Sequence, residues 1–286
     1  MFMTMEKVCR RLFLFSALAS IVALGVISLF LVLNSLPAFQ KVGIRAILTG
    51  TVWQPSSQLF GILPMIMGSL YVTLGALLIG GPLGLFGAIF LAFFCPKKIY
   101  PLFKQMINLM AGIPSIVYGF FGLVVLVPLI QPANGSGKGI ITASLLLGIM
   151  ILPTVITVAE DALQAVPKSY YEGSTALGAT HERTIFRVML PAAKSGIFAA
   201  IVLGLGRAIG ETMAVMMVAG NQAIFPHSLF SGVRTLTTNI VLEMGYAAGL
   251  HRQMLIATAV VLFLIILVLN FGLGRLKERG INDGSR

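Results

Sequence analysis

Six long apolar segments interrupt this chain, and they leave it few ways to fold. They are Leu12–Leu33, Pro64–Phe94, Gln105–Ile130, Ile140–Val166, Lys194–Gly220 and Gln253–Leu273. A helix needs ~20 apolar residues to cross a bilayer. Lipid offers no partner for a backbone N–H or C=O, so a spanning segment must be a helix or a strand of a closed barrel. The segments are continuously apolar and do not alternate, which selects helices. The composition agrees: 57% of residues are hydrophobic and 10% charged, against about 25% charged in a soluble domain. The expected fold class is therefore all-α, a polytopic membrane protein of six transmembrane helices.

Charge sets the orientation. Of 20 Lys and Arg residues, fourteen fall in the N-terminus, the turn Cys95–Lys104, the loop Pro167–Ala193 with Lys194 at its edge, and the C-terminal tail. Lys41, Arg45, Lys138, Arg234 and Arg252 lie on the other side, and Arg207 lies within the fifth segment. Basic residues accumulate in cytoplasmic loops, so both termini are expected in the cytoplasm. The same rule accounts for the net charge of +11 without nucleic acid. The expected surroundings are a lipid bilayer. Leu12–Leu33 is too long for a cleaved leader and reads as an anchor. Asn34–Leu63, with Lys41, Arg45, Trp53 and Pro55, reads as an elbow on the outer surface. Residues 1–63 then form an anchor and interfacial unit, 64–274 a transmembrane core, and 275–286 a cytoplasmic tail.

Within the core, three places depart from plain apolar sequence. Gly80-Gly81-Pro82 interrupts the second segment, where a kink or tilt is expected. Gly80 and Gly84 form a small-xxx-small pair that admits a close neighbour. Gly112-Ile113-Pro114 breaks the third segment. Glu160 and Asp161 stand near the inner end of the fourth and read as solvated or paired with loop cations. Cys9 and Cys95, near cytoplasmic ends, read as free thiols. His181-Glu182 lacks the second His of a zinc-protease helix, and Gly135–Gly139 lacks the leading Gly and trailing Ser/Thr of a phosphate-binding loop, with Pro132 and Gly139 in those positions. No nucleophile elbow or nucleotide motif occurs, and the three His residues, His181, His227 and His251, are scattered, so no catalytic residue, metal or cofactor is expected.

The loop 167–193 is the most polar stretch between spans. Lys168–Leu177 forms a short helix after Pro167, and Gly178 supplies the turn. Thr180 caps a second helix, with Glu182 in its first turn, which runs to about Leu190. Ile185, Phe186 and Met189, flanked by Arg183 and Arg187, suit docking into a groove on a soluble partner. An amphipathic loop lying on anionic lipid fits the same residues.

Glu172, Gly178, Val188, Leu190 and Pro191 match the spacing Glu-x5-Gly, nine residues, aliphatic-x-Leu-Pro. This resembles the EAA coupling loop of type I ATP-binding-cassette importer permeases, although Gly173 and Ser174 stand beside Glu172 where that pattern carries alanines. Trp53-x-Pro55, Phe60-Gly61-x-x-Pro64, Gly112-Ile113-Pro114-Ser115, Ala176–Thr180 and Gly206-Arg207-Ala208-Ile209-Gly210-Glu211-Thr212-Met213-Ala214 resemble the phosphate-importer branch, in its PstC-type subunit. The resemblance runs from Leu48 onward. It implies a permease of the bacterial inner membrane that is not itself an enzyme. The implied partners are a cytoplasmic ABC ATPase dimer gripping Glu172–Pro191, a sister PstA-like permease completing a heterodimer, and an extracytoplasmic phosphate-binding protein on the outer segments near Arg234 and Trp53. Molybdate or sulfate as cargo, or an ATP-independent anion channel, remain alternatives.

Arg207 lies in mid-span, where Arg costs ~2.5–3.5 kcal/mol on insertion scales. Glu211, four residues on, would share its helix face. The two read either as a mutual ion pair or as a substrate-path station. In the second case Arg207 donates to an oxyanion, and Glu211 orients it and keeps binding weak enough for release.

Overall fold

The structure is a computed structural model. It describes the backbone of residues 2–131 and 135–282, and the side chains of 9–131, 135–272, 274 and 275. Pro132 and the end of the basic tail lie outside the described residues.

Helix α1 (Phe2–Val42) has 41 residues, about 60 Å at 1.5 Å per residue, twice the hydrocarbon thickness. It does not stop at Leu33, where the mixed segment begins. The side chains of Asn34 and Ser35 bond back to the carbonyls of Phe30 and Val32, which lets polar residues continue a helix. Gly43, at φ 84°, ends it. After α2 (Ile44–Thr49) comes a two-strand hairpin, β1 (Trp53–Gln54) and β2 (Leu59–Phe60), antiparallel with Trp53 opposite Phe60.

Helix α3 (Leu63–Ile89) runs continuously through Pro82 and ends in a π turn, Phe90–Phe94. It packs along α7 (Ile140–Gln164) on the expected glycines. A Cβ on Gly80 would lie 2.5 Å from the Gly148 carbonyl oxygen, and one on Gly84 would lie 2.7 Å from Val155. Between them in sequence, α4 (Tyr100–Gly112) meets α5 (Ser115–Phe121) and its continuation, α6 (Val127–Ile130), at 95°. The break at Gly112-Ile113-Pro114 is thus a corner, because the residue before proline avoids helical φ/ψ. The third segment is not one straight span.

The loop 167–193 folds as α8 (Lys168–Ala176), α9 (His181–Thr184), a π turn at Ile185–Met189 and α10 (Leu190–Ala192). The last three meet α11 (Lys194–Gly210) at 70°. Helix α11 stops at Gly210, ten residues short of the expected span. Glu211 is extended (φ −70°, ψ 129°) and α12 (Met213–Val218) follows. The outer segment contains α13 (Leu236–Met244), opened by a reciprocal Thr235–Thr238 cap. Helix α14 (Gly249–Asn282) continues through the expected boundary at 274/275.

Among the described residues four helices are long and apolar enough to cross a membrane, and the two bent pairs raise the number to as many as six. The two ends of the molecule sort as the charges require. Phe94 and His181 meet edge to face with ring centroids 5.1 Å apart, joining the start of the first basic turn to the polar loop. At the opposite end Ile140 N–H donates to the Ser231 carbonyl and Trp53 reaches Glu243. The core is zoned along this axis. Val72, Leu147, Ile151, Val155, Ala208 and Val215 fill the middle. Ile47, Phe60, Met65, Leu236 and Met254 fill the outer end. Ala88, Ala159, Leu163, Ile185 and Ala200 fill the inner end.

Candidate functional site

The polar loop is a built knob, and its shape follows local chemistry. Gly178 adopts φ +84°, a conformation that side chains with a Cβ resist. Thr180 Oγ1 accepts from the Arg183 N–H at 3.3 Å. Two side-chain bonds hold the helices together: Tyr171 Oη lies 2.8 Å from His181 Nδ1, and Ser174 Oγ lies 2.9 Å from Thr184 Oγ1. Of the apolar residues expected to face a partner, only Phe186 does. Ile185 is buried in the inner core and Met189 is buried beside the cavity under the loop, because the second helix anchors itself to α3 and α7. The outward apolar contact missed in the sequence is Leu177, 91% exposed beside Gly178. It follows the helix in the position where a docking residue needs no packing of its own. Glu172, Gly178 and Pro191 are exposed, while Val188 and Leu190 are half-buried. A cavity of about 500 Å³ lies under the knob, lined by Phe93, Gln164, Lys168, Tyr171, Glu172 and His181.

Arg207 and Glu211 do not form the pair that a continuous helix would give. Arg207 Nη1 donates to Thr154 Oγ1 of α7 at 3.0 Å. Glu211 Oε1 accepts the N–H groups of Thr212 at 3.2 Å and Ala214 at 3.3 Å, capping α12. The break is the physical reason: beyond Gly210 the helix periodicity that would align the two residues is lost. Gly210 followed by an acid and Thr is a stop-then-start signal, and it was available in the sequence. Among the described residues no carboxylate forms an ion pair with Arg207. Both residues are half-buried, and Gly206 and Gly210 beside them have open space where a Cβ would lie. The arrangement leaves a cation with spare donors at an accessible break between α11 and α12.

The outer end holds a polar network that sequence reasoning did not find. Glu243, 6% exposed, gathers three elements. Its Oε1 accepts from Arg234 Nη1 at 2.6 Å. Its Oε2 accepts from Trp53 Nε1 at 2.9 Å and lies 2.7 Å from His251 Nε2. Arg234 also donates to the Asn221 carbonyl and to Asn239 Oδ1. Trp53, read as an interfacial anchor, is only 8% exposed. Glu243 is the one charged residue of α13, and a charge requires such partners once buried. Its isolation in Asn239–Met244 was the available signal.

The inner end has a counterpart at Glu160, which is fully buried and not solvated. It is paired with Lys104 at 2.7 Å, so pairing with a cation of the basic turn, one of the two readings, is what the structure contains. Lys104 stands on α4 itself.

Comparison with known proteins matches this architecture. The model of the family described as binding-protein-dependent transport system inner membrane component matches residues 80–280. The chain is 41% identical over 273 residues to a probable ABC transporter permease protein, YqgH, of Bacillus subtilis, covering 91% of this chain and 88% of that one. It is 35% identical over 272 residues to the phosphate transport system permease protein PstC of Mesorhizobium japonicum, covering 87% and 83%. In fold it is similar to a chain of a bacterial alginate ABC transporter solved with a pentasaccharide-bound periplasmic protein, at TM-score 0.65 and 17% identity over 96% of each chain. The helices, their bends and the extent of these matches lead to one assignment: the chain is a multi-pass membrane protein belonging to the family of binding-protein-dependent transport system inner membrane components.

Proposed function

We propose that this chain is the PstC-type permease subunit of an ATP-driven inorganic phosphate importer, contributing half of the translocation path. The observation that carries the reading is the cross-linked knob Glu172–Pro191, with Glu172, Leu177, Gly178 and Phe186 exposed, in a chain 35% identical to a phosphate permease over 87% of its length. A partner ATPase supplies the chemistry. Its closure on ATP pulls Glu172, Gly178, Val188, Leu190 and Pro191 as one body. The two cross-links between α8 and α9 keep the pull from being absorbed within the loop. The 70° joint passes it to α11, which carries Arg207 in its last turn.

Arg207 then acts as the cationic station of the path. A single bond to a neutral hydroxyl leaves guanidinium donors free for an oxyanion. Glu211 acts through the backbone, holding the break beside Arg207 open. A sister permease supplies the other wall, and an extracytoplasmic phosphate-binding protein delivers the cargo. Residues 1–63 anchor the unit, 64–274 form its working core, and 275–286 form its tail. Arg234 and Trp53 also serve the network at Glu243, and the binding protein docks on the outer segments around them.

The test is purification followed by transport. The chain is expected to purify with an ATPase in fixed ratio, and Gly178 or Glu172 substitutions are expected to release it. Vesicles holding the complex are expected to take up radiolabelled phosphate only with ATP. Uptake without ATP means a channel, and uptake abolished by excess molybdate or sulfate means another cargo.

A further inference from the structure

Glu160 has no role in the reading above, yet it is fully buried and bonded on every side. It stands on α7 one turn before Gln164, the last residue of that helix, just ahead of Pro167 and the coupling loop. Its Oε1 accepts from Tyr100 Oη at 2.6 Å and Gln164 Nε2 at 3.1 Å, and its Oε2 accepts from Lys104 Nζ at 2.7 Å. Tyr100 and Lys104 are one turn apart on α4 and so share a face. Apolar residues of similar volume commonly hold two helices together as well as a buried ion pair does. What the charge-assisted cluster adds is a fixed register between α4 and α7.

The far end of α4 is fixed too. Across the 95° corner, Tyr118 Oη of α5 donates to the Met110 carbonyl of α4 at 2.9 Å. Helix α5 in turn lies tightly on α12: a Cβ on Gly119 would come within 3.0 Å of Ala214 Cα and 2.7 Å of Met217 Sδ. Helix α12 starts immediately after the break that separates it from Arg207.

We propose that Glu160, with Tyr100 and Lys104, is a coupling joint. It locks α4 to the end of α7 that leads into the ATPase-facing knob. Displacement of the knob then travels along α4 and its pinned corner to α5 and α12, beside Arg207. This rests on the reading of Glu172–Pro191 as the ATPase grip. Glu160 is a positioning residue and touches no solute.

The experiment uses the whole complex in proteoliposomes and measures ATP hydrolysis and phosphate uptake in the same vesicles. Glu160→Gln is expected to leave hydrolysis within about twofold of wild type and to lower phosphate imported per ATP about tenfold, within the usual range of site-to-site couplings. Lys104→Arg, which keeps the charge at the joint, is expected to retain a ratio within about twofold of wild type on the same scale. A Glu160→Gln complex with an unchanged ratio, whether both activities persist or both fall together, overturns the proposal. If Glu160→Gln does not assemble, Tyr100→Phe removes a single donor. A lowered ratio there supports the joint and an unchanged ratio overturns it. Absence of ATP-driven uptake by the wild-type complex would instead break the reading of the knob.

Discussion

Arg207 and Arg234 are both arginines set in mostly apolar surroundings, and the structure treats them in opposite ways. Arg234 is held by the Asn221 carbonyl, Asn239 and Glu243, and Glu243 is itself tied to Trp53 and His251. It binds the hairpin, α13 and the start of α14 into one outer body. Among the described residues Arg207 has one side-chain bond, to a hydroxyl, near the end of a helix that stops three residues on. A saturated guanidinium is a structural tie, and an unsaturated one at a break in a span has donors to offer a solute. The difference separates a residue whose loss should unfold the outer end from one whose loss should spare the fold and stop transport.

The comparison can be broken at several points. Glu243→Ala strands Arg234, His251 and the Trp53 N–H, and removing one member of a buried charged network costs about 3–5 kcal/mol. Thermal unfolding of the detergent-solubilised protein, or its abundance in membranes, should show the largest loss of any substitution named here. Trp53→Phe removes one donor to the carboxylate and keeps the ring. A hydrogen bond to a charged group contributes about 1.5–3 kcal/mol, so an intermediate loss is expected in the same assay. If Trp53→Phe has no effect, the hairpin is held by packing with Phe60 alone. Gly178→Ala forces a side chain into the left-handed region for about 1–2 kcal/mol. Because Gly178 is exposed at the tip of the knob, limited proteolysis of the loop should report it while global unfolding barely moves. Arg207→Gln should change stability least, because the half-buried side chain gives up a single bond to a neutral hydroxyl. A large loss would mean that Arg207 is a tie like Arg234.

What the sequence made legible divides along the same line. The knob could be read in advance because its shape is set by neighbours in sequence: Pro167 before a helix, Gly178 at positive φ, Thr180 as a cap. The glycine seam of α3 and the break at Gly112–Pro114 were legible for the same reason, though the 95° angle was not, since it depends on what α4 and α5 pack against. The network at Glu243 was hidden because its partners lie 190, 9 and 8 residues away, and only the fold brings them together. Arg207 and Glu211 were misaligned by one assumption, that an apolar run is one helix. Gly210 ended it, and Glu211 then found backbone N–H groups in place of the arginine.

The most direct test of the account is ATP-driven uptake of radiolabelled phosphate by the Arg207→Gln complex, compared with wild type at matched membrane abundance and matched ATPase copurification. Loss of a charged hydrogen bond to the solute, about 1.5–3 kcal/mol, predicts uptake lowered about ten- to a hundredfold with assembly intact. Wild-type uptake by a stably inserted Arg207→Gln protein would contradict it.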